Sequence, residues 1–160
     1  MRLNLIAVGR LKQGPERELC ARYAERFNAQ GRHYSLGPIN IIEIQESKAS
    51  SRSERIVQEA SLLSKKLPSH SPIITLDERG KHLDSKQLSG EVKMLRDQGA
   101  SQISLIIGGP DGVCSSIKNR ATLILSLSAM TLPHAFARIL LLEQLYRSVT
   151  IMAGHPYHRE

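Results

Sequence analysis

The sequence predicts an α/β fold: a mostly parallel sheet flanked by helices. Three observations carry this reading. Short β-branched runs alternate with amphipathic helical patterns through the first two thirds of the chain. No repeat, low-complexity segment or linker interrupts them. A dense glycine turn then ends the alternation, and a long apolar helix follows.

The elements read in order as follows. Residues 3–8 form a buried strand ended by Gly9 and Arg10. Pro15 suits the first turn of a helix whose apolar stripe is Leu19, Cys20, Tyr23 and Phe27. Residues 28–38, with Gly31, Gly37 and Pro38, read as a loop. Residues 39–44 are β-branched and give the second strand. Ser51 and Glu54 have capping-box spacing and open a helix that Pro68 stops. Residues 72–76 form the third strand, and 77–80 a turn after it. Ser85 opens a helix with Leu88, Val92 and Leu95 on one face, ended by Gly99. Residues 103–107 are the fourth strand. A short helix over 115–121, a fifth strand over 123–127 and a long helix over 135–152 complete the chain. The wide apolar stripe of that last helix suggests a second subunit packed against it.

The 160 residues and 41% hydrophobic content suit one domain spanning 1–160. Lys and Arg number 22 against 15 Asp and Glu, a formal charge of +7 that favours a polyanionic partner over a neutral one. With no Trp, two Phe and four Tyr, the chain has few rings on which to stack bases. RNA binding would then rest on phosphate contacts and shape. The two cysteines, Cys20 and Cys114, show no zinc spacing and fit a reducing cytosol. Residues 1–9 lack a signal-peptide pattern, and no apolar run approaches a membrane span, so a cytoplasmic protein is expected.

Three segments can carry chemistry. Gly108-Gly109-Pro110-Asp111-Gly112 falls after the fourth strand, where open α/β sheets bind ligands. It is neither GxGxxG nor a P-loop, so it reads as a tight turn or as a place of close ligand approach. The loop Leu127, Ser128, Ala129, Met130, Thr131, Leu132 is either a plain strand-to-helix connection or a cradle offering backbone groups to a planar ring. The tail holds His155, Tyr157, His158, Arg159 and Glu160. Its readings are a frayed end, a weak metal cluster of His155, His158 and Glu160, or a functional arm with ring, imidazole and guanidinium. Arg138 and Arg147 either pair with a carboxylate such as Glu143 or point into a cleft. Leu76, at the end of the third strand, is placed to line a pocket.

Taken together, Thr75-Leu76-Asp77, the run from Leu105 to Gly112, the run from Leu125 to His134, Leu145-Tyr146-Arg147 and the closing His155-Pro156-Tyr157-His158-Arg159-Glu160 resemble one family. It is the large-subunit ribosomal RNA pseudouridine N3-methyltransferases, the small single-domain branch of the SPOUT methyltransferases. The resemblance covers the whole chain, and is strongest from Ile103 onward. It implies a C-terminal trefoil knot, a homodimer and S-adenosyl-L-methionine as cofactor. The implied pocket is Leu76, Gly108 and the loop of Leu127, Ser128, Ala129, Met130, Thr131 and Leu132. The implied substrate is N3 of a pseudouridine in a hairpin loop of 23S ribosomal RNA, met on the assembled ribosome. Met130 stands where Leu is more usual, and Gly154 where Asn is frequent; neither change removes a reactive group.

Methyl transfer from a sulfonium needs alignment and no metal. A base assists, because the acceptor imide is mostly protonated at neutral pH. His158 is the leading proton acceptor, Tyr157 a group to stack on or orient the base, and Arg159 a partner for phosphate or a developing anion. Arg147 and His134 are second choices. The rival reading is a non-catalytic ribosome-binding or RNA-binding protein of the same fold, which would not bind the cofactor.

Overall fold

The computed structural model describes residues 1–159. Five strands form one parallel sheet in the order β2-β1-β4-β3-β5. They are β1 (Arg2–Val8), β2 (Ile39–Ile44), β3 (Ile73–His82), β4 (Gln102–Ile107) and β5 (Leu123–Ser126). The helices are α1 (Pro15–Gly31), α2 (Arg52–Ser64), α3 (Ser85–Asp97), α4 (Ser115–Lys118) and α5 (His134–Met152).

Strand periodicity divides the core. On β1, Leu3, Leu5 and Ala7 face α1, α3 and α5, while Ile6 and Val8 face α2 and α4. On β4, Ile103, Leu105 and Ile107 join the first layer and Ile106 the second. Both faces of the sheet are thus covered, as parallel strands without polar alternation require.

Local signals set the helix starts. Pro15 begins α1. The Ser51 hydroxyl accepts from the Glu54 N–H at 3.2 Å, which is half of the expected box. A complete box instead opens α3, between Asp84 and Gln87. Gly99, at φ 84°, follows its end.

The structure corrects four expectations. Residues 28–31 are the last turn of α1, followed by a 3₁₀ turn over Arg32–Tyr34. The helix persists because Phe27 and Gly31 continue its buried stripe, and the main chain at Leu36 packs where a Gly31 side chain would be. The short helix stops at Lys118 and the fifth strand at Ser126. The expected turn over 77–80 lies within β3. Leu125 of β5 faces both Leu76 and Lys81, so the four residues between make an excursion from the ladder. A side chain at Gly80 would lie 2.7 Å from Leu125 C and 2.8 Å from Ile124 O. The excursion therefore returns directly across the backbone of β5.

Candidate active site

The excursion within β3, the glycine turn after β4 and the segment after β5 converge. They enclose a cavity of about 500 Å³, in the range of small-molecule sites. Leu76, Ile107, Leu125, Leu127 and Leu132 supply apolar wall, and Asp77, Glu78 and Asp111 supply carboxylates.

The glycine turn is shaped from within. The Gly112 N–H donates to Gly109 O at 2.9 Å, closing a turn with Pro110 and Asp111 at its centre. A side chain on Gly108 would lie 2.7 Å from Val113 Cγ2 and 2.8 Å from Gly112 C. Gly108 is thus glycine because the turn folds over it, while its main chain still lines the cavity. From α2, Arg55 grips Asp111 through Nε at 2.6 Å and a second nitrogen at 3.3 Å. This pairing holds the Asp111 carboxyl below its usual value.

The segment after β5 is ordered by its serines. Ser126 donates to Ser128 O at 3.0 Å, and Ser128 Oγ accepts from the Met130 N–H at 2.9 Å. Of the expected pocket residues, Leu76, Gly108, Leu127, Ser128, Met130, Thr131 and Leu132 line the cavity. Ala129 is not among its lining residues and is exposed.

Asp77 ion-pairs with Lys118 at the cavity wall. Burial works to raise the Asp77 carboxyl. The Lys118 hydrogen bond and the Arg79 N–H, at 2.9 Å, outweigh it and hold the group low.

The tail residues form a second cluster. Tyr157 donates from its hydroxyl to Glu143 Oε1 at 3.0 Å and meets the Tyr146 ring edge-on at 4.9 Å between centroids. The Arg147 guanidinium lies 4.7 Å from the Tyr157 ring centre and donates to Glu143 at 2.6 Å. Tyr157 therefore docks on α5. Burial first, then hydrogen bonds with Tyr23 and Glu143, push the Tyr157 phenol far above its ordinary value. His158 Nδ1 is buried with no hydrogen-bond partner among the described residues, and Arg159 is exposed. Glu160 lies outside the described residues.

His134 lines the cavity at the start of α5, apart from the tail with which it was grouped as a candidate. None of Arg147, Tyr157, His158 and Arg159 lines it. Arg147 stands ten residues after Ala137, a lining residue, or about 15 Å further along the α5 axis. Sequence reasoning missed Arg52, Asp77, Asp111 and Lys118 as pocket residues. Asp111 carried a signal in its place inside the glycine turn, and Asp77 in the Thr75-Leu76-Asp77 motif. No group of three or more His, Cys, Asp and Glu suited to a metal occurs among the described residues, and no described helix is long and apolar enough to cross a membrane.

Comparison with known proteins gives this geometry its context. A protein named Ribosomal RNA large subunit methyltransferase H from Rhizobium leguminosarum bv. trifolii is 48% identical over 99% of this chain and 99% of its own length. One of the same name from Bradyrhizobium sp. (strain ORS 278) is 45% identical over 99% of this chain and 98% of its own. Among solved structures, the SpoU methyltransferase AviRb of Streptomyces viridochromogenes, in complex with AdoMet, aligns with a TM-score of 0.42 at 15% identity. That alignment covers 95% of this chain and 58% of AviRb. The family model described as predicted SPOUT methyltransferase matches residues 1–158. The chain belongs to the SPOUT methyltransferase family.

Proposed function

We propose that the protein transfers the methyl group of S-adenosyl-L-methionine to N3 of a pseudouridine in a hairpin loop of 23S ribosomal RNA. The acceptor would be met on the assembled ribosome in the cytoplasm, with the whole chain acting as one domain. The carrying observation is the cavity that the glycine turn and the 127–132 segment enclose, in a chain of this family. The relatives' printed name supports ribosomal RNA as the substrate class. The resemblance of the tail and pocket motifs supports the base and the position.

The cavity fits such a cofactor. Its leucine walls suit a planar ring, and its exposed main chain suits a ring edge. The bound cofactor would supply an electrophilic methyl group. Leu76, Gly108 and the 127–132 segment would hold and orient it, leaving the protein a task of positioning and proton removal.

The residues suited to the second task lie on the tail, away from the cavity of their own chain. We therefore infer a homodimer in which each tail completes the partner's site. Phe136, at the start of α5 and 57% exposed, supports a subunit contact near the cavity. Tyr157 would orient the base with a phenol that stays protonated. His158 would take the imide proton through its imidazole. Arg159 would meet phosphate. We also infer the family's trefoil knot, with the 77–80 excursion as the loop that the chain beyond β5 passes. The tight crossing at Gly80 supports that reading.

The test is radiolabelled methyl transfer to ribosomes from a strain lacking the protein, with the modified nucleotide mapped. Deleting residues 157–160 should leave cofactor binding intact and abolish transfer. Transfer at the full rate by the truncated protein would remove the tail from the reaction. Absence of cofactor binding by the intact protein in calorimetry would favour the non-catalytic RNA-binding reading.

A further inference from the structure

A carboxylate outside the cavity bears on its shape. Glu59 is 3% exposed, buried between α2, the 46–50 segment and the glycine turn. Its Oε1 accepts from the Ser47 N–H at 3.0 Å, and its Oε2 has no partner among the described residues. A buried acceptor left without a donor lowers stability. The Ser47 bond accounts for one oxygen of the carboxylate and leaves the other to be explained.

Gly109 indicates what the explanation is. A side chain there would lie 2.7 Å from Glu59 Oε2, 3.1 Å from Oε1 and 3.2 Å from the carboxyl carbon. Gly109 is not in the left-handed region, so its backbone would accept alanine. The three nearest atoms all belong to that carboxylate, which is enclosed and accepts from Ser47. Arg52 and Arg55 sit on the same face of α2 and hold Asp111. Arg55 also donates to Ala49 O and Ser50 O at 3.1 Å.

We propose that Glu59 is a positioning residue for the glycine turn. Its carboxylate is the wall against which Gly109 rests, and it sets the main chain of Gly108 and Gly109 at the cavity surface. The inference about the turn stands on geometry alone. Its consequence for S-adenosyl-L-methionine affinity rests on the proposed function.

The test compares wild type with Gly109→Ala, Glu59→Gln, Glu59→Ala and the double variant Gly109→Ala/Glu59→Ala. The readouts are amide NMR shifts of Gly108 and Gly112, calorimetric affinity for S-adenosyl-L-methionine and the urea midpoint. Gly109→Ala should displace both amide signals and weaken the cofactor by about tenfold or more. Glu59→Gln keeps the shape and should stay within about threefold of wild type. The double variant should recover much of the affinity and the wild-type shifts, because the added methyl fills the vacated space. Recovery through a second truncation is not expected of a residue that serves stability alone. Unmoved amide signals in folded Gly109→Ala, or a double variant no nearer wild type than Gly109→Ala, would overturn the proposal. If wild type fails to bind the cofactor, the functional reading falls, and the amide shifts still decide the role of Glu59.

Discussion

Arg138 donates to Glu43 Oε1 at 2.6 Å across 95 residues of chain. The same guanidinium donates to Val8 O at 2.8 Å and to Gly9 O at 2.7 Å. It thereby ties the start of α5 to the carboxyl ends of β1 and β2. Arg138 is 2% exposed, so those donors have no water to replace them.

Arg138→Leu should lower stability by roughly 3–5 kcal/mol, the range for removing one partner of a buried pair. Glu43→Gln should cost less, because Arg138 keeps its two carbonyls. Urea denaturation of both variants checks the order. Equal losses would mean that the carbonyl contacts contribute nothing.

At Gly80 the obstacle is main chain. Alanine there would press on the backbone of Ile124 and Leu125, which cannot rotate away. We expect Gly80→Ala to cost about 1–3 kcal/mol, as overpacking does, and to displace the 77–80 excursion from the cavity. A chemical-denaturation midpoint and a cofactor titration check this. An unchanged midpoint would show that the crossing is looser than its geometry indicates.

The contrast between these glycines and the helix starts shows what a sequence can disclose. Pro15, Ser51 and Gly99 act on neighbours a few residues away, so each was legible as local chemistry. The apolar periods of β1 and β4 likewise disclosed two covered sheet faces. Gly80 against β5 and Arg138 with Glu43 are meetings of distant segments, and no local pattern encodes them. The pocket lay between: its glycine turn and leucine-flanked loop were legible through the resemblance. Asp77 and Lys118 became pocket residues only once β3 and α4 were packed together.

Asp77 gives the site an acid sensitivity of known sign. Its folded value is lowered, so its contribution is present above the unfolded value of about 4 and is lost as pH falls through the folded one. Lys118→Met removes the group that lowers it and leaves burial, which acts the other way. The acid unfolding midpoint of Lys118→Met should therefore move to higher pH, and that of Asp77→Asn should depend less steeply on pH in that range. Circular dichroism across pH 2–6 reads both. An acid midpoint for Lys118→Met equal to that of wild type would remove the ion pair from the account.

Tyr157 titrates in the opposite sense. Its phenol is raised by burial and by hydrogen bonds with Tyr23 and Glu143. The stability it contributes is present below the unfolded value of about 10 and disappears as pH rises through the higher folded value. Phenolate absorbance should show one of the four tyrosines ionising late, and Tyr157→Phe should abolish that late step. A phenol held neutral cannot take the imide proton at working pH, which leaves the His158 imidazole as the acceptor on the tail. Tyr157→Phe should therefore reduce methyl transfer less than His158→Ala, for which a loss of about a hundredfold or more is expected of a proton acceptor. Both variants should bind the cofactor as wild type does, because the tail is assigned to the acceptor base and not to the cofactor walls. If the two rate losses are reversed, the proton leaves by another route and His158 only orients the base.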